Sequence, residues 1–107
     1  MNHVSDKLPD LVALELEAAN KEHPPFHSLH EGFAVLREEL DESDEALKLA
    51  IEESRTMWRA VKRDDAYDVR VFAFAVRRDA LAAAAEAIQV AAMATKLIEF
   101  IDKEMVP

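Results

Sequence analysis

Cysteine is absent from the 107 residues. That absence removes disulfides, thiolate metal ligands and thiol nucleophiles together, and leaves oxygen and imidazole groups to carry any chemistry. Glycine occurs once and proline four times, too few turn formers for a protein of many short strands. Bases are scarce: 13 Lys and Arg stand against 22 Asp and Glu, a net charge of −9, so neither a nucleic-acid backbone nor an anionic membrane is expected as the main partner. No run approaches the roughly 20 consecutive apolar residues of a membrane span. The opening MNHVSDKLPD also lacks the apolar stretch of a signal peptide. The expectation is a soluble, cytoplasmic protein.

Half of the residues are hydrophobic and a third are charged. With so few breakers, this composition describes long helices and fixes the fold class as all-α, a bundle of four or five helices in one domain. A chain of this length buries a modest core, and association extends it, so a homodimer or homotetramer is expected. The charge is unevenly spread: residues 1–54 hold 14 acids and 4 bases, whereas residues 55–78 hold 7 bases and 3 acids.

Residues 1–25 read as an N-terminal helix, from about Pro9 to Glu22, followed by a proline loop; Pro9 suits a first turn, and Pro24 and Pro25 end the helix. Ser28 and Glu31 have the spacing of a capping box and open an acidic helix over 28–51. Phe33, Leu36, Leu40, Ser43 and Leu47 form its expected core stripe. The adjacent stripe, Val35, Glu39, Glu42, Ala46 and Leu49, is apolar except for two acids at the core margin. Residues 52–78 form a basic connection read as helical, with a break and new N-cap at Asp64 and Asp65. An alanine-rich helix over 79–104 is apolar on nearly every face, as a central bundle helix would be.

That last helix carries one polar stripe, Glu86, Gln89, Met93 and Lys96. A carboxylate among apolar neighbours must shift its pKa, find a cation or leave the core. If the two helices pack side by side, Glu39 and Glu42 meet Glu86 and Gln89 around a hard, all-oxygen site suited to Mg²⁺ or Mn²⁺.

The segments HEGFAVLREELDE and EAIQVAAMA resemble the all-α nucleoside triphosphate pyrophosphohydrolases of the MazG-like superfamily. The resemblance covers roughly residues 26–51 and 79–102. It implies hydrolysis of a nucleoside triphosphate to the monophosphate and pyrophosphate, with a divalent cation holding the triphosphate and activating water. By resemblance Glu38, Glu39 and Glu42 match the E-E-x-x-E helix of that family, and Glu86 matches the first residue of its E-x-x-D helix. Gln89 stands where the family has Asp. The expected roles are metal ligation by Glu39, Glu42, Glu86 and Gln89, metal binding or water orientation by Glu38, and phosphate binding by Lys96 or a central arginine.

Each feature also has a plainer meaning. The acidic run is a solvated face, Glu86 and Gln89 a buried polar network fixing helix register, and the basic segment a set of ion-pair partners. His23, His27 and His30 offer a zinc alternative but suit loop and cap positions better. Trp58, Phe26 and Tyr67 are either stacking groups or core, and Met93 reads as core. The rival functions are a non-catalytic helical interaction module on the same scaffold and, from charge alone, an acidic occupant of a nucleic-acid-binding site.

Overall fold

The structure, a computed structural model, describes residues 3–106; Met1, Asn2 and Pro107 of the expected domain lie outside the described residues. These form three helices, α1 (His3–Glu22), α2 (Leu29–Lys62) and α3 (Ala66–Glu104). The all-α class holds, whereas the helix count is three among the described residues instead of four or five. The reason lies in the scarcity of breakers: neither glycine nor proline occurs between Gly32 and Pro107, so nothing divides the acidic helix from its basic extension. The start expected at residue 79 is likewise internal to α3.

Capping chemistry explains the boundaries that do occur. The Glu31 N–H donates to Ser28 Oγ at 3.1 Å, as the capping box requires. Its second arm is displaced by one residue, with Glu31 Oε1 accepting from the His27 N–H at 3.2 Å. The end of α2 is a Schellman turn, in which the Asp65 N–H reaches the Ala60 carbonyl (3.0 Å) and the Asp64 N–H the Val61 carbonyl (2.9 Å). Asp64 takes the left-handed conformation, φ 55°, where glycine is usual. Asp65 then caps α3, its Oδ1 accepting from the Asp68 N–H at 3.1 Å. One three-residue turn therefore both stops α2 and starts α3. Helix α1 begins earlier than its proline suggested, and Pro9 is internal, so one i to i−4 backbone hydrogen bond is missing there.

The chain divides into two compact units. One comprises residues up to Leu40 together with those from Glu86 onward. Its core joins buried Phe26, Ala92 and Met93 with Leu16 of α1, Val35 and Leu36 of α2, and Leu97 and Phe100 of α3. Gly32 permits this packing: a Cβ there would lie 2.6 Å from Leu97 Cδ1 and 3.2 Å from Phe26 Cδ2.

The other unit, Asp41–Ala85, is an antiparallel hairpin of two helical segments. Its buried apolar side chains are alanines, Ala50, Ala60 and Ala83, and Ser43 Oγ donates to the Ala83 carbonyl at 3.1 Å. Small residues let the segments approach closely and leave the large side chains outside. Phe33, Leu40 and Leu47, expected in the core, are 63%, 42% and 52% exposed. Leu36 and Ser43 of that expected stripe are half-buried, as are Val35, Glu39 and Ala46 of the adjacent one, whereas Glu42 and Leu49 are exposed. Trp58 and Tyr67 are also exposed.

Helix α3 contains an 18-residue stretch of mean hydropathy 1.4, of which 17% is buried, so by length and composition alone it is apolar enough to cross a membrane. The sequence expectation had rested on uninterrupted apolar runs, and this stretch is broken by isolated charges.

Candidate metal centre

Glu39 lies on the inward face of α2 and Glu86 on α3, both half-buried. Glu39 offers a carboxylate oxygen within 4.8 Å of one from Glu86, and within 4.8 Å of one from Glu42, a turn further along its own helix. The 3.6-residue repeat brings Glu39 and Glu42 to one side of α2. Glu42 is exposed, so this carboxylate opens to solvent.

Gln89, one turn along α3 from Glu86, completes the group. With its amide turned so that the nitrogen faces the carboxylates, as the donor and acceptor pattern requires, it donates to Glu39 Oε2 at 2.8 Å and to Glu86 Oε2 at 3.2 Å. One amide thus bridges two carboxylates and offsets part of their repulsion. Rotation of the same amide by a half-turn about its terminal torsion exchanges nitrogen for oxygen and presents an acceptor to a cation instead.

The other expected participants lie elsewhere. Glu38 is exposed on the neighbouring row of α2. Lys96 is buried, and its ammonium sits 4.8 Å from the centre of the Phe26 ring, about 15 Å of helical rise from Glu86. His27 Nδ1 engages Glu31 Oε2 at 3.3 Å, and this hydrogen bond is the main cause holding the Glu31 carboxyl below its ordinary pKa. The zinc alternative gains nothing from that arrangement.

Four arginines of the basic segment are employed locally. Arg63 pairs with Asp68 at 3.3 Å, and Arg70 and Arg77 lie 4.7 and 4.6 Å from the Phe74 ring centre. Arg78 pairs with Glu53 at 3.0 Å and Asp79 at 3.1 Å.

The Arg78, Glu53 and Asp79 group was missed in the sequence, where its only signal was Asp79 beginning an alanine-rich stretch. Asp79 is buried, and Arg78 hydrogen bonds, first among the causes, hold its carboxyl below the ordinary range. The neighbouring Asp79 raises the Glu53 carboxyl above its ordinary 4.5. Glu53 Oε2 is buried without a hydrogen-bond partner, and a protonated Glu53 carboxyl can donate to Asp79, the first cause of the raised value. The folded state therefore holds the Glu53 proton more tightly than the unfolded chain does. This contribution to stability is complete below 4.5 and is lost as pH rises through the raised value. Urea midpoints measured from pH 4 upward should show that loss, and Glu53→Gln, which keeps a donor without a titrating proton, should remove it.

No family model, curated protein or solved structure matches the chain.

Proposed function

We propose that the protein is a divalent-cation-dependent nucleotide pyrophosphohydrolase of the cytoplasm, converting a nucleoside or deoxynucleoside triphosphate to the monophosphate and pyrophosphate. The observation that carries the reading is the approach of the Glu39 and Glu86 oxygens to within 4.8 Å, with Glu42 one turn along α2. Carboxylates this close repel, and a cation held between them relieves the repulsion more fully than the Gln89 amide does. The donors are oxygens alone, carboxylates and a rotated Gln89 carbonyl, which fits Mg²⁺ or Mn²⁺ and not a thiophilic metal. The substrate class comes from the resemblance of the EELDE and EAIQ segments to MazG-like enzymes.

When bound, such a cation neutralises phosphate charge and makes a water molecule more acidic. Glu39, Glu42 and Glu86 would hold it, and Glu38, exposed on the adjacent row outside this group, would orient the attacking water. The test is turnover of a nucleotide panel with Mg²⁺, with pyrophosphate and orthophosphate assayed separately. Monophosphate and pyrophosphate in equal amounts are expected. Orthophosphate as the sole product, or no turnover by protein that binds Mn²⁺, would refute the activity while leaving the metal site standing.

A second reading is favoured by the Gln89 bridge: a non-catalytic helical module whose polar group fixes the register of α2 against α3. The two are separated by the response of Gln89 variants to metal.

The Asp41–Ala85 hairpin also supports association. Two helical segments share one mutual face, and here alanines fill it, while Leu47, Trp58 and Leu81 remain 52%, 57% and 63% exposed. A second copy that covers these side chains would build a four-helix core. Light scattering should give at least twice 12.0 kDa, and Leu47→Glu should shift the mass toward one chain. A wild-type mass of 12.0 kDa across a wide concentration range would contradict association.

A further inference from the structure

From the cavity around Lys96 we infer a second binding site, independent of the metal centre, for a small organic anion with a flat apolar body. A cavity of about 490 Å³ opens between the end of α1, the proline loop and the last turns of α3. Phe26 and Phe100 supply apolar wall, and Lys96 supplies charge. Its volume lies in the ordinary range for sites of small organic ligands.

Lys96 distinguishes this cavity from a surface dent. It is 6% exposed, so most of its side chain is packed away from water. Among the described residues it makes no hydrogen bond or ion pair, and its ammonium lies 4.8 Å from the centre of the Phe26 ring. A ring face attracts a cation, but it does not replace an anion with lone pairs to accept the three N–H donors. A lysine buried to this degree is ordinarily paired. Here the cation stands at the wall of the cavity with no anion beside it among the hydrogen bonds and ion pairs of the described residues.

The surrounding charges set the sign of the ligand. Lys103, His23 and His27 also line the space, as do Glu99 and Glu104, and all five are exposed. Glu31, outside the lining, feels the Lys96 charge weakly. Solvent screens the exposed acids at the rim far more than the buried ammonium at the wall. A carboxylate or phosphomonoester on an aromatic body would place its charge on Lys96 and its ring between Phe26 and Phe100.

The test is titration of the full-length, ¹⁵N-labelled protein with phenyl phosphate, benzoate, benzyl alcohol and inorganic phosphate, read at the amides of Phe26, Lys96 and Phe100. Saturable shifts are expected with at least one aromatic anion. The stronger of phenyl phosphate and benzoate identifies a phosphomonoester or a carboxylate as the preferred head. In Lys96→Met, which keeps the apolar stem, affinity for that anion should fall roughly tenfold or more. Benzyl alcohol should bind weakly and equally to both proteins, which tests the charge requirement in wild type even if the variant folds poorly. No saturable shift at these amides, equal affinity of wild type and Lys96→Met for the anion, or benzyl alcohol matching the anions would overturn the proposal. Inorganic phosphate binding as tightly as phenyl phosphate would overturn the requirement for an apolar body. None of these outcomes depends on turnover of nucleotides or on Mn²⁺ binding.

Discussion

Glu86→Ala is expected to abolish Mn²⁺ binding measured by calorimetry, and to do so while leaving the metal-free protein as stable as wild type or more so. The two halves of this result have one cause. Carboxylate oxygens held within 4.8 Å of one another repel when ionised, and the Gln89 bridge offsets only part of that. Removing Glu86 relieves the repulsion without metal and deletes one of the three carboxylate ligands with it. Loss of a mere supporting partner in metal sites typically weakens affinity about 10–100-fold, so loss of a ligand should cost at least the upper end of that range. Thermal melts should accordingly show stabilisation of wild type by Mn²⁺ and none of Glu86→Ala. Equal absence of Mn²⁺ binding in both proteins, with and without nucleotide, would show that the acidic group holds no cation.

The parts of this architecture legible in the sequence are those set by local chemistry. Ser28 and Glu31 announced the start of α2, and Asp64 and Asp65 marked the turn before α3, because capping uses side chains a few residues from the backbone groups they satisfy. The pairing of Glu39 with Glu86 across 47 positions was legible for another reason: Glu39 shares with Glu42 a stripe that is otherwise apolar, and Glu86 heads the one polar stripe of an apolar helix.

What the sequence could not show is which of two apolar stripes faces the chain's own core. Phe33, Leu40 and Leu47 carry the greater hydrophobicity, yet the alanine and glycine row lies inside because it lets the helices approach more closely. Hydrophobic period identifies a face that avoids water and is silent on whether the same chain or another copy covers it. Lys96 was misplaced for a similar reason. It shares a helical row with Glu86 and Gln89, but the rise along α3 and the buried Met93 between them separate the row into an acidic end and a cationic end. The Glu53, Asp79 and Arg78 group left almost no trace, since it depends on contacts across the hairpin.

Gln89→Asp separates the catalytic and structural readings most sharply, because the same substitution has opposite consequences in them. Glutamine now donates from one amide nitrogen to both Glu39 and Glu86, whereas aspartate at that position donates nothing and adds a charge. In metal-free protein the variant loses the bridge and gains an uncompensated anion in a half-buried place, a destabilisation of about 2–4 kcal/mol. If the group is a metal centre, that cost is reversed when Mn²⁺ is present. The added carboxylate attracts the cation more strongly than an amide oxygen does, so affinity should rise and turnover be equal or higher. The decisive measurement is therefore a pair of melts, with and without Mn²⁺, joined to a calorimetric titration. Destabilisation of the same size in both melts, with no gain in Mn²⁺ affinity, would mean that Gln89 fixes the register of α2 against α3. Recovery of the variant by Mn²⁺ to wild-type stability or beyond would mean that the glutamine is a neutral stand-in for a metal ligand, holding two carboxylates together until a cation replaces its hydrogen bonds.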